Sequence, residues 1–265
     1  YQFMKIFPKK SSQNVIICCS AIGFNKPFTV FITNIIPDLH LTETSQCFPL
    51  YRYNEDGKNK KDNITDWALE QFQNKYSSKG ITKEDIFYYV YAALHNEKYR
   101  EKYKENLRIE LPRIPFAKDK ASFEKLSQSG RELAEIHINF ENADEYPLTV
   151  AATKNPVNYA INKMKWDKDK TKLIYNNTIT ITDFPADSFL YKLGNRTPVD
   201  WVIEYYRDEE DLESKVKDPD SRVKIPYYNE ENPQYVIELI KKLVTVSIKS
   251  VEIIKKINQI DLGIE

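Results

Sequence analysis

Glycine is scarce in this chain: six residues in 265, at positions 23, 57, 80, 130, 194 and 263. No two stand close enough to build a loop whose bare backbone wraps a phosphate or a dinucleotide. A P-loop, a Rossmann fingerprint and the glycine-bearing loop that holds S-adenosylmethionine are therefore excluded. Cysteine and histidine are rarer still. Cys18, Cys19 and Cys47 form no CxxC pair, and His40, His95 and His137 lie far apart, so no zinc site is expected. Adjacent Cys18 and Cys19 on a strand point to opposite faces, which suits buried or half-buried thiols. An odd cysteine count without secretory features points to a reducing cytoplasm. No apolar run reaches transmembrane length and no signal-peptide pattern opens the chain, so no membrane partner is expected. The first residue is Tyr1 rather than Met, and the sequence reads as a piece of something longer.

What is abundant is charge of both signs and aromatic surface. Lys plus Arg number 39 and Asp plus Glu number 39, a net of zero, with 41% hydrophobic residues. This composition excludes a disordered polyelectrolyte and a histone-like basic body. Tyr contributes 18 residues, Phe 13 and Trp three. Tyr joins a wide apolar face to one polar tip, useful in cores and at wet interfaces alike. A chain this long buries roughly 70–75% of its unfolded surface and needs no metal or disulfide staple.

The order of patterns predicts an α+β fold, read here as one domain over 1–265. Residues 1–53 read as strands, with Val15–Cys19 and Phe28–Ile32 as short β-branched or apolar runs. Residues 64–143 read as helical. Thr65 opens one helix, and Thr82 caps a second that carries Ile86, Val90, Leu94, Tyr99, Tyr103 and Leu107 at a spacing of mostly four. That spacing predicts one amphipathic helix ending before Pro112 and Pro115. A third helix is expected over 122–142. Residues 148–206 return to strands, with an Asn176–Asn177 turn and a short helix from Pro198. Residues 233–258 form a long C-terminal helix, with Asn232 as its cap and Pro233 in its first turn.

The charges cancel globally but not locally. Residues 1–37 hold Lys5, Lys9, Lys10 and Lys26 and no acid. Residues 154–172 hold lysines at 154, 163, 165, 168, 170 and 172 against Asp167 and Asp169, while 200–213 hold seven acids against Arg207. Such segregation can build a basic groove on a neutral protein, the footprint of a nucleic-acid binder. Charge alone favours ordinary solvated surface. The location of both basic segments in strand-rich regions speaks for a groove.

Catalytic motifs are weak. Asn232-Pro233-Gln234-Tyr235 is one residue from the Asn-Pro-Pro-Tyr loop of N6-adenine methyltransferases, but it lacks the apolar strand before it. Glu213-Ser214-Lys215 matches half of a nuclease metal site, with Asp187 or Asp200 as a partner carboxylate. No strand is predicted to carry it. His137 reads as a satisfied core histidine and His95 as a helix-end residue. No serine sits in a glycine elbow.

Several strings in order carry a family resemblance. They are Gln46-Cys47-Phe48-Pro49-Leu50-Tyr51, the run Ile81-Thr82-Lys83-Glu84-Asp85-Ile86-Phe87-Tyr88-Tyr89-Val90-Tyr91 continuing to His95, Tyr99-Arg100-Glu101-Lys102-Tyr103 and Leu111-Pro112-Arg113-Ile114-Pro115. Lys163-Met164, Ile174-Tyr175-Asn176 and the stretch from Tyr191 through Gly194 to Trp201 and Tyr205-Tyr206 follow. Together they resemble the C-terminal specificity region of type ISP single-polypeptide restriction-modification enzymes. The resemblance departs near Asp218-Pro219-Asp220-Ser221, where the loop is more charged than the pattern.

This resemblance implies a target recognition domain for double-stranded DNA, cut from a parent with nuclease, ATPase, coupler and adenine methyltransferase parts. The parent would use S-adenosylmethionine, ATP and Mg²⁺; no cofactor is expected in this chain. Expected partners are duplex DNA and the methyltransferase and coupler domains of the parent. Expected base-reading residues are Asn25, Lys26, Gln46, Lys163, Lys165, Trp166, Asn195 and Arg196. Expected phosphate contacts are Lys58, Lys60, Lys61, Lys154, Lys168, Lys170 and Lys172. For Arg196 a second reading stays open, in which it pairs with the acidic run 208–213 and stabilises a turn. Trp201 is expected in the core. Alternatives for the whole chain are a scaffold docking onto neighbouring domains through Trp67–Leu107, and a degenerate Mg²⁺-dependent nuclease using Glu213 and Lys215.

Overall fold

The computed structural model describes residues 3–9, 11–37, 45–161, 164–206 and 229–264. The fold is α+β, as the order of patterns predicts, and the chain divides into two compact units. The first comprises residues 1–139, 193–195 and 249–265; the second comprises 140–192 and 196–248.

The first unit opens with an antiparallel sheet of β1 (Ile16–Ser20), β2 (Val30–Thr33) and β3 (Ser45–Pro49), ordered β2-β1-β3. All five residues of β1 are buried, because both faces of the sheet are covered. Ile17, Cys19, Val30 and Ile32 join the main core; Ile16, Cys18 and Phe31 pack on the other side with Ile6, Phe7 and Leu193. The two adjacent cysteines thus face opposite ways, as strand alternation requires. A hairpin of β4 (Tyr51–Arg52) and β5 (Lys61–Asp62) follows.

Helices α1 (Asp66–Lys75) and α2 (Lys83–Ala93) start where expected, with Thr65 and Thr82 as caps. Thr82 and Asp85 form a reciprocal capping box. The single long helix read from the spacing is instead three: α2, α3 (Glu97–Lys102) and α4 (Lys104–Ile109). Asn96 makes the first break. Its backbone is extended, its side chain accepts from the Tyr99 amide, and its Nδ2 donates to the Ile257 carbonyl. A competing side-chain bond to the backbone outweighs helical spacing there.

Helix α5 (Lys120–Ile138) packs on α2 at a glycine. A Cβ on Gly130 would lie 2.0 Å from the Tyr88 carbonyl oxygen, so only glycine permits this approach. The tyrosine excess also finds its use here. Tyr76, Tyr89 and Tyr99 donate to the carbonyls of Ala117 (3.0 Å), Pro115 (2.6 Å) and Arg113 (3.0 Å), pinning the irregular segment after α4 to the core. Tyr91 bonds His137 Nδ1 at 2.7 Å, and His137 Nε2 bonds Ser250 at 2.9 Å. His137 is the satisfied core histidine expected, and His95 closes the end of α2 with its Nδ1 on the Tyr91 carbonyl.

The second unit holds a four-stranded antiparallel sheet ordered β6-β9-β8-β7, with β6 (Thr149–Ala152), β7 (Lys165–Trp166), β8 (Leu173–Ile174) and β9 (Ile179–Thr182). The expected Asn176 turn joins β8 to β9: its Oδ1 accepts from the amides of Thr178 and Ile179. Helix α6 (Pro198–Tyr205) follows, and residues 235–248 of α7 (Tyr235–Gln259) complete this core through Val236, Ile240 and Val244. Asn232 accepts from the Gln234 amide within a turn, so α7 begins two residues beyond Pro233. Among the described residues no helix is long and apolar enough to cross a membrane.

Candidate nucleic-acid interface

The β7–β8 connection is a built turn rather than a slack loop. Asp167 Oδ1 accepts from the amides of Thr171 (2.9 Å) and Lys172 (3.1 Å), and Oδ2 accepts from the Thr171 hydroxyl (2.9 Å). These bonds, led by that from the Lys172 amide, hold the Asp167 carboxyl below its ordinary pKa. Lys170 takes a left-handed φ of 54° inside the turn. Lys168, Lys170 and Lys172 are all exposed on this fixed backbone.

The turn is braced against the start of α6. Thr197 caps that helix, and Asp200 completes the reciprocal box. Asp200 Oδ1 also accepts from Trp166 Nε1 at 2.8 Å and faces Lys170 Nζ at 3.6 Å. Burial pushes the Asp200 pKa up, but the bonds from Thr197 and Trp166 and the charge of Lys170 outweigh it and keep the carboxyl below the usual range. The Trp166 ring packs on Phe184 and Phe189, with centroids 4.8 and 5.5 Å away. Trp166 is placed as a brace. Arg196, just before the cap, lies 5.0 Å from the Trp201 ring and 3.6 Å from Glu204 Oε1. Its acidic partner is therefore within α6; residues 208–213 lie outside the described residues. Trp201 is half-buried beneath that guanidinium.

Strand register sorts the remaining lysines of this unit. Lys165 pairs opposite Ile174, and Lys154 follows Ala152, which pairs with Ile179. Both stand at the end of the sheet away from the 167–172 turn. Lys163 lies outside the described residues.

In the first unit, Asn25 and Lys26 are exposed in the β1–β2 loop. Ser20 pairs with Ser45 and Cys19 with Gln46, so exposed Gln46 is at the same end of its sheet. Residues 193–195 return here. Gly194 has φ 70°, and a Cβ on it would stand 3.5 Å from Thr29 Oγ1, at the close of the same loop. Asn25, Lys26, Gln46 and Asn195 thus share one end of the sheet. Lys58, Lys60 and Lys61 occupy the β4–β5 hairpin beyond the other end, where Lys60 Nζ sits 3.5 Å above the Tyr51 ring. Next to that hairpin an open cleft of about 620 Å³ is lined by Lys5, Cys47, Arg52, Tyr53, Glu55 and Lys61, among others.

For the nuclease alternative, Glu213, Lys215 and the divergent 218–221 string fall outside the described residues. Among the described residues no group of three His, Cys, Asp or Glu side chains is placed to hold a metal.

Residues 1–239 match the family model described as the Type ISP C-terminal specificity domain. The chain belongs to that family.

Solved structures agree with the assignment. A cryo-EM structure of a DrdV–DNA complex is similar with a TM-score of 0.84 and 38% identity, over 97% of this chain and 26% of that one. The ATP-dependent Type ISP restriction-modification enzyme LlaBIII, bound to DNA, matches at 0.82 and 30% over 98% of this chain and 17% of that one. A nuclease-deletion mutant of the Type ISP enzyme LlaGI, in complex with a DNA substrate mimic, matches at 0.78 and 28%, covering 98% and 19%. This specificity domain therefore spans about a quarter or less of the length of those chains. No curated protein sequence matches it.

The strings over 46–51, 81–95 and 111–115 fall on the scaffold of the specificity domain: β3 with β4, α2, and the segment pinned by the tyrosines. Lys168, Lys170 and Lys172 of the turn stand outside all of the quoted strings. Sequence reading missed the bracing carboxylates, weighing Asp200 only as a nuclease ligand and Asp167 only as a counter-charge. Thr197-Pro198-Val199-Asp200 was the available signal for one, as a capping box. Asp167 four residues before Thr171 gave no comparable signal.

Proposed function

We propose that this chain is the part of a Type ISP restriction-modification enzyme that selects the duplex site at which the parent methylates adenine and licenses cleavage. The observation that carries the reading is the braced turn of Lys168, Lys170 and Lys172. Exposed lysines on a fixed turn backbone meet a phosphate backbone without first losing loop entropy, and the DNA-bound neighbours support that use. Phosphate contacts would set register; the amides at the β1–β2 loop end of the first sheet and Arg196 are the groups chemically suited to base edges. In this reading the parent's other domains hold S-adenosylmethionine, ATP and Mg²⁺. The chain itself takes none of them and catalyses nothing.

The test is duplex binding by fluorescence anisotropy across a salt series, comparing the chain with its Lys168→Ala/Lys170→Ala/Lys172→Ala variant. Each lost phosphate contact flattens the log–log salt slope by about 0.9. Affinity should fall alike for every duplex, and an unchanged slope removes the turn from the interface. A second role has its own support. Trp67 is 70% exposed and Ile109 73%, so the helical part presents apolar surface suited to docking the parent's methyltransferase or coupler domains. Trp67→Ala should weaken that assembly and leave duplex affinity intact.

A further inference from the structure

Cys18 and Cys47 stand directly opposite each other in the antiparallel pairing of β1 and β3. The hydrogen-bond pattern fixes which kind of pair they form. The Leu50 amide donates to the Val15 carbonyl one step beyond the strand ends, which puts Val15 and Leu50 in the bonded phase of the ladder. Bonded and non-bonded pairs alternate along the ladder, which makes Ile16/Pro49 non-bonded, Ile17/Phe48 bonded and Cys18/Cys47 non-bonded. Proline at position 49, with no amide hydrogen to offer, agrees with that phase. On its other side, Ser20 donates to the Thr29 carbonyl of the β2 flank, which again turns the Cys18 backbone away from β3.

The non-bonded position is where facing side chains come closest, with Cα atoms about 4.5 Å apart. That lies at the short end of the range a disulfide spans, about 4.4–6.8 Å. The two sulfurs are already 3.4 Å apart, and both cysteines are free thiols. Cys47 is half-buried and lines the open cleft beside the β4–β5 hairpin; Cys18 is fully buried behind it. The shared hydrogen bond favours the thiolate on Cys47 and the thiol on Cys18. Cys19, one residue on, faces the opposite core, where burial pushes its thiol up to about 12.

We propose that Cys18 and Cys47 form an oxidation site that closes into a reversible cross-strand disulfide when a hydroperoxide enters the cleft. The Cys47 thiolate attacks one peroxide oxygen and the O–O bond breaks, leaving a sulfenic acid on Cys47 and hydroxide, which takes a proton to become water. The Cys18 sulfur then attacks the sulfenic sulfur. The S–S bond forms, the S–O bond breaks, and the Cys18 proton leaves with the hydroxyl as a second water. Two thiols give up two electrons, and one hydrogen peroxide becomes two waters.

The experiment treats the intact chain with hydrogen peroxide, alkylates remaining thiols with N-ethylmaleimide and digests it with a protease that cleaves after glutamate. Trypsin is unsuitable, because Lys26 precedes Pro27 and the three cysteines would share one peptide. Glu43 is the first glutamate, so cleavage there and at Glu55 puts Cys18 and Cys19 on peptide 1–43 and Cys47 on 44–55. The expected result is one linked pair of peptides, lost on dithiothreitol treatment, with the single maleimide on Cys19. Cys19→Ser should retain the link and Cys18→Ser should abolish it. Fragmentation of the wild-type link assigns the sulfur even if a variant fails to fold. A link through Cys19, a Cys47 that proceeds to sulfinic acid without linking, or three alkylated thiols would each overturn the proposal.

Discussion

The two sheets of this protein are built to different purposes, and the contrast lies in what covers them. In the first, β1 is buried along its whole length between two apolar layers, and Tyr76, Tyr89 and Tyr99 of the same core end on main-chain carbonyls. In the second, β6 is exposed at all four residues, β7 and β8 are two residues each, and the conspicuous feature is a lysine turn held by carboxylates. Packing holds the first and polar bracing shapes the second. The lesson is that rigidity for a polar surface can come from a few ionised hydrogen bonds near the backbone, without a deep core beneath every residue.

Gly130→Ala tests the packed side most severely. The added Cβ collides with the Tyr88 carbonyl, and overpacking at a helix–helix contact costs about 3 kcal/mol. Denaturant unfolding should show that loss, while base preference at a temperature where the variant is folded stays unchanged. A changed preference would break the division of labour.

The buried imidazoles give the next effect. Burial holds His137 down to about 3 and His95 well below its usual value, whereas both titrate near 6.5 in the unfolded chain. Between those values the unfolded state binds more protons, so stability is complete above pH 6.5 and falls as pH drops toward 3. Within that window His137 contributes a slope of about 1.4 kcal/mol per pH unit, and His95 acts in the same direction. Unfolding free energies at pH 6.5 and 4.5 should differ by about 2 kcal/mol from His137, with a further loss of the same sign from His95. His137→Gln should flatten that dependence; an equal slope would place the titration elsewhere.

On the polar side, Asp200→Ala removes the acceptor of the Trp166 indole, the mate of Lys170 and half of the capping box. A cost of about 2 kcal/mol is expected, with a change in Trp166 fluorescence and loosened exchange protection across the β7–β8 turn. Unaltered protection would mean that Asp167 alone holds the turn.

Arg196→Ala sharpens the comparison with the smallest stability effect, about 0.5–1 kcal/mol for an exposed cation–π contact and ion pair. If Arg196 also leaves Trp201 to grip a guanine, preference should relax at one base position by ~1–3 kcal/mol. Uniform loss across all duplexes, with a lowered melting temperature, assigns it to the turn alone.

Much of this was legible in the chain as written. Strand alternation sent Cys18 and Cys19 to opposite faces, and Thr65, Thr82 and the Asn176 turn marked element ends, because each of these is decided within a few residues. What the tertiary structure decided depends on groups far apart in sequence. Asn96 ends a helix that spacing would continue because the Ile257 carbonyl, 161 residues away, takes its amide. Gly130 matters because Tyr88 crosses it. The six lysines of 154–172 read as one basic segment, yet register puts Lys154 and Lys165 at one end of the sheet and the braced turn at the other. Charge and periodicity are properties of the chain, but a surface is set by which strand pairs with which, and that is fixed only when distant side chains are packed.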